Sequence, residues 1–82
     1  MERLNLRQLE IFSAVVDAGS FTAAAEKLYL AQSTVSDNVR ALEELLHLKL
    51  FHRESKRRLT LTLEGKRVYR YAQDLSLIHI SE

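Results

Sequence analysis

The chain contains no cysteine, no proline, no tryptophan and only two glycines in 82 residues. Without thiols, disulfides, thiol catalysis and thiolate metal sites are excluded. The lack of proline and the scarcity of glycine exclude collagen-like and low-complexity organisation. No apolar run approaches the roughly 18 residues that a membrane-spanning helix needs. The opening Met1-Glu2-Arg3-Leu4-Asn5 lacks the basic-then-apolar order of a secretory signal, so a cytosolic location with no membrane partner is expected. A chain of 9.5 kDa is one small domain, or a piece of a longer chain, and buries only about 60–65% of its unfolded surface. That leaves little room for a deep substrate cleft. No Gly-rich phosphate loop and no nucleophile beside a base occur. His47, His52 and His79 lack metal-ligand spacing and read as solvated or turn residues. No enzyme activity, cofactor or metal is therefore expected.

What is present is ordinary globular composition, 46% hydrophobic and 28% charged, with a formal net charge of +1. The charge is unevenly spread. Residues 1–48 carry four basic and seven acidic side chains, whereas residues 49–73 carry eight basic and two acidic ones. So concentrated a basic segment on a nearly neutral chain fits contact with a polyanion, or else a solvated charge run.

Asn5 is placed to cap a first helix, with Gln8 three residues later completing a capping-box pattern. Leu6, Leu9, Phe12 and Val16 form the expected apolar stripe, flanked by Ile11 and Val15. Gly19 suits the positive φ of a helix C-terminus. Ser20 is the natural cap of a short second helix, Phe21 to about Leu28, whose Ala24 and Ala25 permit close helix approach. Tyr29-Leu30-Ala31 allows only a tight turn before a third helix, from Gln32 or Ser33 to Leu46. Val35, Val39, Leu42 and Leu46 give that helix a narrow inner face; Ser33, Asp37, Arg40 and Glu44 lie opposite, with Ser36 on the shoulder.

Leu50–Arg53 and Leu59–Thr62 alternate in the manner of strands and enclose the polar, basic tip Glu54-Ser55-Lys56-Arg57-Arg58. The period then returns to helical, with Val68, Tyr71, Ala72 and Leu75 on one stripe. The expected fold is mainly α: three helices, a β-hairpin and a C-terminal helix.

Two helices joined by a three-residue turn fit a helix-turn-helix, or equally an ordinary three-helix core. For the former, a major groove admits one α-helix, and the short side chains of Ser33 and Ser36 let its backbone come close. Asn38 and Arg40 can donate to bases or phosphates. The N-terminus of the third helix adds backbone N–H groups suited to a phosphate. The hairpin shifts the balance toward DNA. Lys56, Arg57 and Arg58 crowd one tip, where they repel one another and can reach a minor groove or its flanking phosphates.

These residues resemble a known family. Phe21-Thr22-x-Ala24-Ala25-x-x-Leu28 followed by Ala31-Gln32-Ser33-x-Val35-Ser36 is similar to the DNA-binding domain of LysR-type transcriptional regulators. So are Leu42-Glu43-Glu44-Leu45, Leu50-Phe51-x-Arg53 and Leu61-Thr62-x-x-Gly65. The resemblance covers about residues 4–75. It implies a winged helix-turn-helix over residues 1–62, with the hairpin as wing, and a linker helix over 63–75. It also implies a bacterial, nucleoid-associated protein that binds double-stranded DNA as a homodimer through that helix, with Val68, Tyr71, Ala72 and Leu75 as dimer contacts. A separate effector-binding domain, and with it any small-molecule effector, belongs to a full-length protein and is absent from this chain.

Carried across by position, the resemblance implies DNA contacts at Gln32, Ser33, Thr34, Ser36 and Asp37 on the third helix, and at Arg53 and Lys56 on the wing beside Arg57 and Arg58. Ser20, Phe21 and Thr22 stand where the second helix can meet a phosphate. Three departures stand out. Position 37 is often Arg in the family and is Asp37 here, which can accept from cytosine N4 and shift sequence preference, or pair with Arg40 along the helix. His47 replaces the usual Gly at the end of the third helix, where positive φ costs a non-glycine residue about 1 kcal/mol, so a locally different turn is expected. Leu63 and Glu64 replace a common Pro-Ala. The last seven residues, Ser76–Glu82, turn β-rich, which fits a truncation or sequencing scar, or a simple extension of the helical stripe through Leu75 and Ile78. The rival reading is a winged helix serving protein interaction or dimerisation without specific DNA binding; it has no need of the basic wing tip.

Overall fold

The computed structural model describes residues 5–52 and 59–80, with side chains as far as residue 75. Its elements are α1 (Leu6–Ala18), α2 (Phe21–Leu28), α3 (Gln32–Leu46), β1 (Phe51–His52), β2 (Thr60–Leu61) and α4 (Leu63–Ile80). This is the expected winged helix-turn-helix order.

Local chemistry sets most boundaries. Asn5 caps α1 by accepting from Arg7 N at 2.8 Å. The other half of the expected capping box does not form: Gln8 Oε1 is buried with no hydrogen-bond partner among the described residues. Ser20 Oγ caps α2 by accepting from Ala23 N at 3.0 Å. Gly19 ends α1 at φ 85°. The ends of α2 and α3 follow one plan. Tyr29 and His47 take left-handed conformations, φ 60° and 57°. In each case the next N–H reaches back to close a Schellman turn, Leu30 N to Ala25 O at 2.9 Å and Leu48 N to Glu43 O at 3.1 Å. His47 thus keeps the left-handed turn that glycine would make more cheaply; the expected local difference does not occur.

The core gathers Ile11, Phe12, Val15, Val35, Val39, Leu42 and Leu50. Ile11 and Val15, expected on the flanks of α1, are buried, while Leu6 is 41% exposed and Val16 is half-buried. The reason is that α1 packs against α2, α3 and α4 at once, so its covered face is wider than one stripe. Leu46, expected on the inner face of α3, is only half-buried at the rim, where the chain reverses. Phe51 joins the wing to the helices: its ring centroid lies 5.4 Å from that of Phe12 and 5.7 Å from that of Phe21.

The hairpin base is antiparallel, Phe51 facing Leu61 and His52 facing Thr60. At the base the strands stop short of Leu50 and Thr62, because those two residues have other tasks. Leu50 N donates to Glu43 Oε2 at 2.8 Å. Thr62 belongs to the next helix: its hydroxyl accepts from Gly65 N at 2.9 Å, as an N-cap does, and donates to Lys49 O. Gly65 lets α4 start against Leu50 and β2. A Cβ there would stand 2.2 Å from Leu50 O and 2.9 Å from Leu61 Cδ2. The backbone of α4 stays helical through Ile80, past the expected linker boundary at Leu75. No helix among the described residues is long and apolar enough to cross a membrane.

Candidate nucleic-acid interface

The outer face of α3 is built by anchoring its inner one. Val35, Val39 and Leu42 are buried to within 1%. Helical geometry then turns Gln32, Ser33, Thr34, Asp37 and Arg40 outward, and all five are exposed. Ser36 and Asn38 are half-buried at the edge. The cap position of the helix is Ala31, which makes no side-chain cap hydrogen bond. Its leading N–H groups, which have no intrahelical acceptor, belong to the exposed residues Gln32, Ser33 and Thr34. Such a helix end presents partial positive charge and donors to an anion.

The starts of α2 and α3 meet. Thr22 Oγ1 donates to Gln32 Oε1 at 3.2 Å. That contact uses the carbonyl oxygen of the exposed Gln32 carboxamide and does not use its NH₂ group, a two-hydrogen donor. The other expected residues of this stretch are placed differently. Ser20 uses its oxygen as the α2 cap, and Phe21 is half-buried against Phe51. Thr22 alone of the three is exposed.

Two residues of the outer half of α3 already hold partners. Asn38 Nδ2 donates to Thr34 O at 2.8 Å, so its side chain lies back along its own helix. Asp37 Oδ1 sits 3.6 Å from Arg40 Nη1, the i,i+3 pair that was one of the two expectations for Asp37. The wing is fixed at its base by Phe51 and Leu50. The tip residues Arg53, Lys56, Arg57 and Arg58, expected to contact DNA, lie outside the described residues.

On α4, Ala72 is buried and Val68 and Leu75 are half-buried, all three packed on the core of their own chain. Tyr71, the fourth member of the expected dimer stripe, is 48% exposed. Tyr69 spans from α4 to α1, its hydroxyl donating to Asp17 Oδ1 and accepting from Gln73 Nε2 at 2.9 Å. The Asp17 hydrogen bond, with smaller contributions from burial and the nearby negative charge, raises the phenol above its ordinary pKa of 10.0.

Three of these residues stood in the sequence motifs without the roles that the structure gives them. Glu43, 5% exposed, is the buried acceptor that joins α3 to the wing. Tyr29 holds the helix-helix turn in a left-handed conformation while its side chain is 94% exposed. Thr62 joins the wing to α4. For Glu43 a signal existed, since it adjoins the inner stripe beside Leu42. For Tyr29, the three-residue gap between helices already required a reversal.

Comparison with known proteins places this geometry in context. The family described as bacterial regulatory helix-turn-helix protein, lysR family, matches residues 6–66. The RuBisCO operon transcriptional regulator of Allochromatium vinosum is 44% identical over 70 residues, covering 85% of this chain and 23% of that protein. The transcriptional activator protein LysR of Escherichia coli K12 is 44% identical over 73 residues, covering 89% of this chain and 23% of that protein. The chain thus spans about a quarter of the length of these curated relatives. Among solved structures, the crystal structure of the BenM DNA-binding domain with catB site 1 DNA superposes with a TM-score of 0.86 at 42% identity, covering 95% of this chain and 84% of that one. An uncapped third helix, a wing clamped at its base and these matches agree: the chain belongs to the LysR family of bacterial regulatory helix-turn-helix proteins and forms that family's winged helix-turn-helix domain.

Proposed function

We propose that this domain binds double-stranded DNA sequence-specifically for transcriptional regulation, as a homodimer on an interrupted palindrome. The observation that carries the reading is the start of α3, where Gln32, Ser33 and Thr34 are exposed around N–H groups that no side chain caps. A similar domain, 42% identical, is known in complex with DNA. In this reading α3 enters the major groove with Gln32, Ser33, Thr34, Ser36 and Asp37 toward base edges, while Thr22 and the α3 start meet phosphates. Arg53, Lys56, Arg57 and Arg58 reach the adjacent minor groove.

Two-fold symmetry places two half-sites on one face of the duplex. The homodimer forms along α4, with exposed Tyr71 the residue best placed to meet a partner and Val68, Ala72 and Leu75 backing it from the core side. The protein works in the bacterial cytoplasm at the nucleoid. A small-molecule effector acts only through a further domain of a longer protein. The protein-interaction alternative is not favoured, because it gives no reason for an uncapped, outward-facing α3.

The test is anisotropy binding to a randomised duplex pool across a salt series, with the bound fraction sequenced. If each protomer neutralises about four phosphates, the log–log salt slope lies near −7 for a dimer. An enriched palindrome supports the full reading. A slope near zero rejects it.

A further inference from the structure

We infer that Asp37 and Arg40 act together as a reader of one C·G base pair in each half-site, an inference that rests on the DNA-binding reading above. The two side chains stand on the outer face of α3, 71% and 60% exposed, with Oδ1 and Nη1 3.6 Å apart. The buried positions Val35, Val39 and Leu42 fix that face away from the core.

A carboxylate here is out of keeping with its neighbours. The start of the same helix offers N–H donors and hydroxyls suited to phosphate, and an acidic group only repels phosphate. What Asp37 can accept from in a major groove is an exocyclic amine, either adenine N6 or cytosine N4. Adenine sets its N6 donor beside the N7 acceptor, an edge that matches a carboxamide and sets the second carboxylate oxygen against a lone pair. Cytosine sets its N4 donor beside O6 of the paired guanine, with guanine N7 next along the edge. One donor beside two acceptors is the complement of one carboxylate beside one guanidinium. The arrangement of Asp37 and Arg40 presents that complement as a unit.

The surroundings leave the unit available. Asn38, the polar neighbour between them in sequence, is turned back onto Thr34 O. Ser33 and Ser36 are too short to hold the helix away from the groove floor. An ion pair this exposed is weak in water, so it opens or turns toward bases at little cost. While the protein is free, Arg40 masks the Asp37 charge from an approaching backbone.

The test compares the protein with Asp37→Ala, Asp37→Asn and Arg40→Ala variants in binding to a randomised duplex pool, with sequencing of the bound fraction and a salt series for each. The wild type enriches C·G at one position of each half-site. Asp37→Ala and Arg40→Ala each lower the preference at that same position by about 5- to 150-fold and leave the other positions unchanged. Asp37→Asn moves the preference there toward A·T, because a carboxamide pairs with adenine N6 and N7. An Asp37→Ala selection identical to the wild type, or effects of Asp37 and Arg40 at unrelated positions, overturns the inference while a steep salt slope keeps the DNA reading. Steep binding by the wild type with no enriched C·G position likewise overturns the inference alone. Absence of salt-dependent binding by the wild type overturns both. All four proteins share one circular-dichroism melt within a few degrees, since both side chains are exposed.

Discussion

The backbone N–H of Leu50 donates to the carboxylate of Glu43 at 2.8 Å, inside the protein and seven residues away along the chain. The carboxylate leaves α3 on its buried side and takes hold of the residue that leads into the wing. Leu50 in turn accepts from Thr62 N at 3.0 Å, so helix, wing and linker helix meet at one residue. A hydrogen bond to a charged group is worth about 1.5–3 kcal/mol, and leaving a buried donor unmet adds to the loss. Glu43→Ala is therefore expected to lower unfolding stability by about 2–4 kcal/mol in urea titration, with Glu43→Gln closer to wild type.

Gly65 permits no side chain. A Cβ at 2.2 Å from Leu50 O meets backbone, which cannot move aside as the end of a flexible side chain can. Gly65→Ala is expected to cost about 2–3 kcal/mol despite its gain in helix propensity. A thermal melt higher than wild type would show that α4 does not start this close to the wing.

His47 gives the opposite sign. At φ 57° it is a non-glycine residue in a left-handed conformation that glycine adopts freely, and its side chain is exposed. His47→Gly is expected to stabilise the domain by about 1 kcal/mol, read as a shift in the urea midpoint with an unchanged slope.

Much of the backbone plan was legible in the residues, and the reasons are local. Ser20 caps and Gly19 terminates because the groups they satisfy lie within four residues. The inner face of α3 follows from Val35, Val39 and Leu42 by period alone. What was not legible depends on partners far along the chain. Gln8 fits a capping box in sequence, yet its oxygen is buried with no partner among the described residues. Thr62 alternates like a strand residue, and only the approach of α4 to Lys49 and Leu50 makes it a cap. The stripe Val68, Ala72 and Leu75 is periodic whether it meets its own core or a second chain, so the period alone does not announce the packing on its own core. The i,i+3 spacing of Asp37 and Arg40 was legible as one of two outcomes, because pairing and base reading use the same two groups.

The Tyr69 contact has a pH signature. The hydrogen bond to Asp17 requires the protonated phenol, so the folded state holds that proton more tightly than the unfolded one. A pKa raised on folding contributes stability that is full below the ordinary value of 10.0 and is lost as pH rises through the raised folded value. Tyr69→Phe is expected to be less stable than wild type near neutral pH, with the gap closing on the alkaline side of pH 10. A gap that stays constant to high pH would mean that the ring's packing, and not its hydroxyl, joins α4 to α1.

Ala31 leaves the first turn of α3 without a side-chain acceptor. In the DNA-binding reading proposed above, a phosphate oxygen of the operator takes the place at α3 that Ser20 fills for α2. On that reading the DNA backbone completes the first turn of α3. Part of the protein's own folding free energy is thereby deferred until binding. Installing the missing acceptor, as in Ala31→Asp, would make a firmer helix and a poorer ligand for DNA, since the helix would arrive already closed.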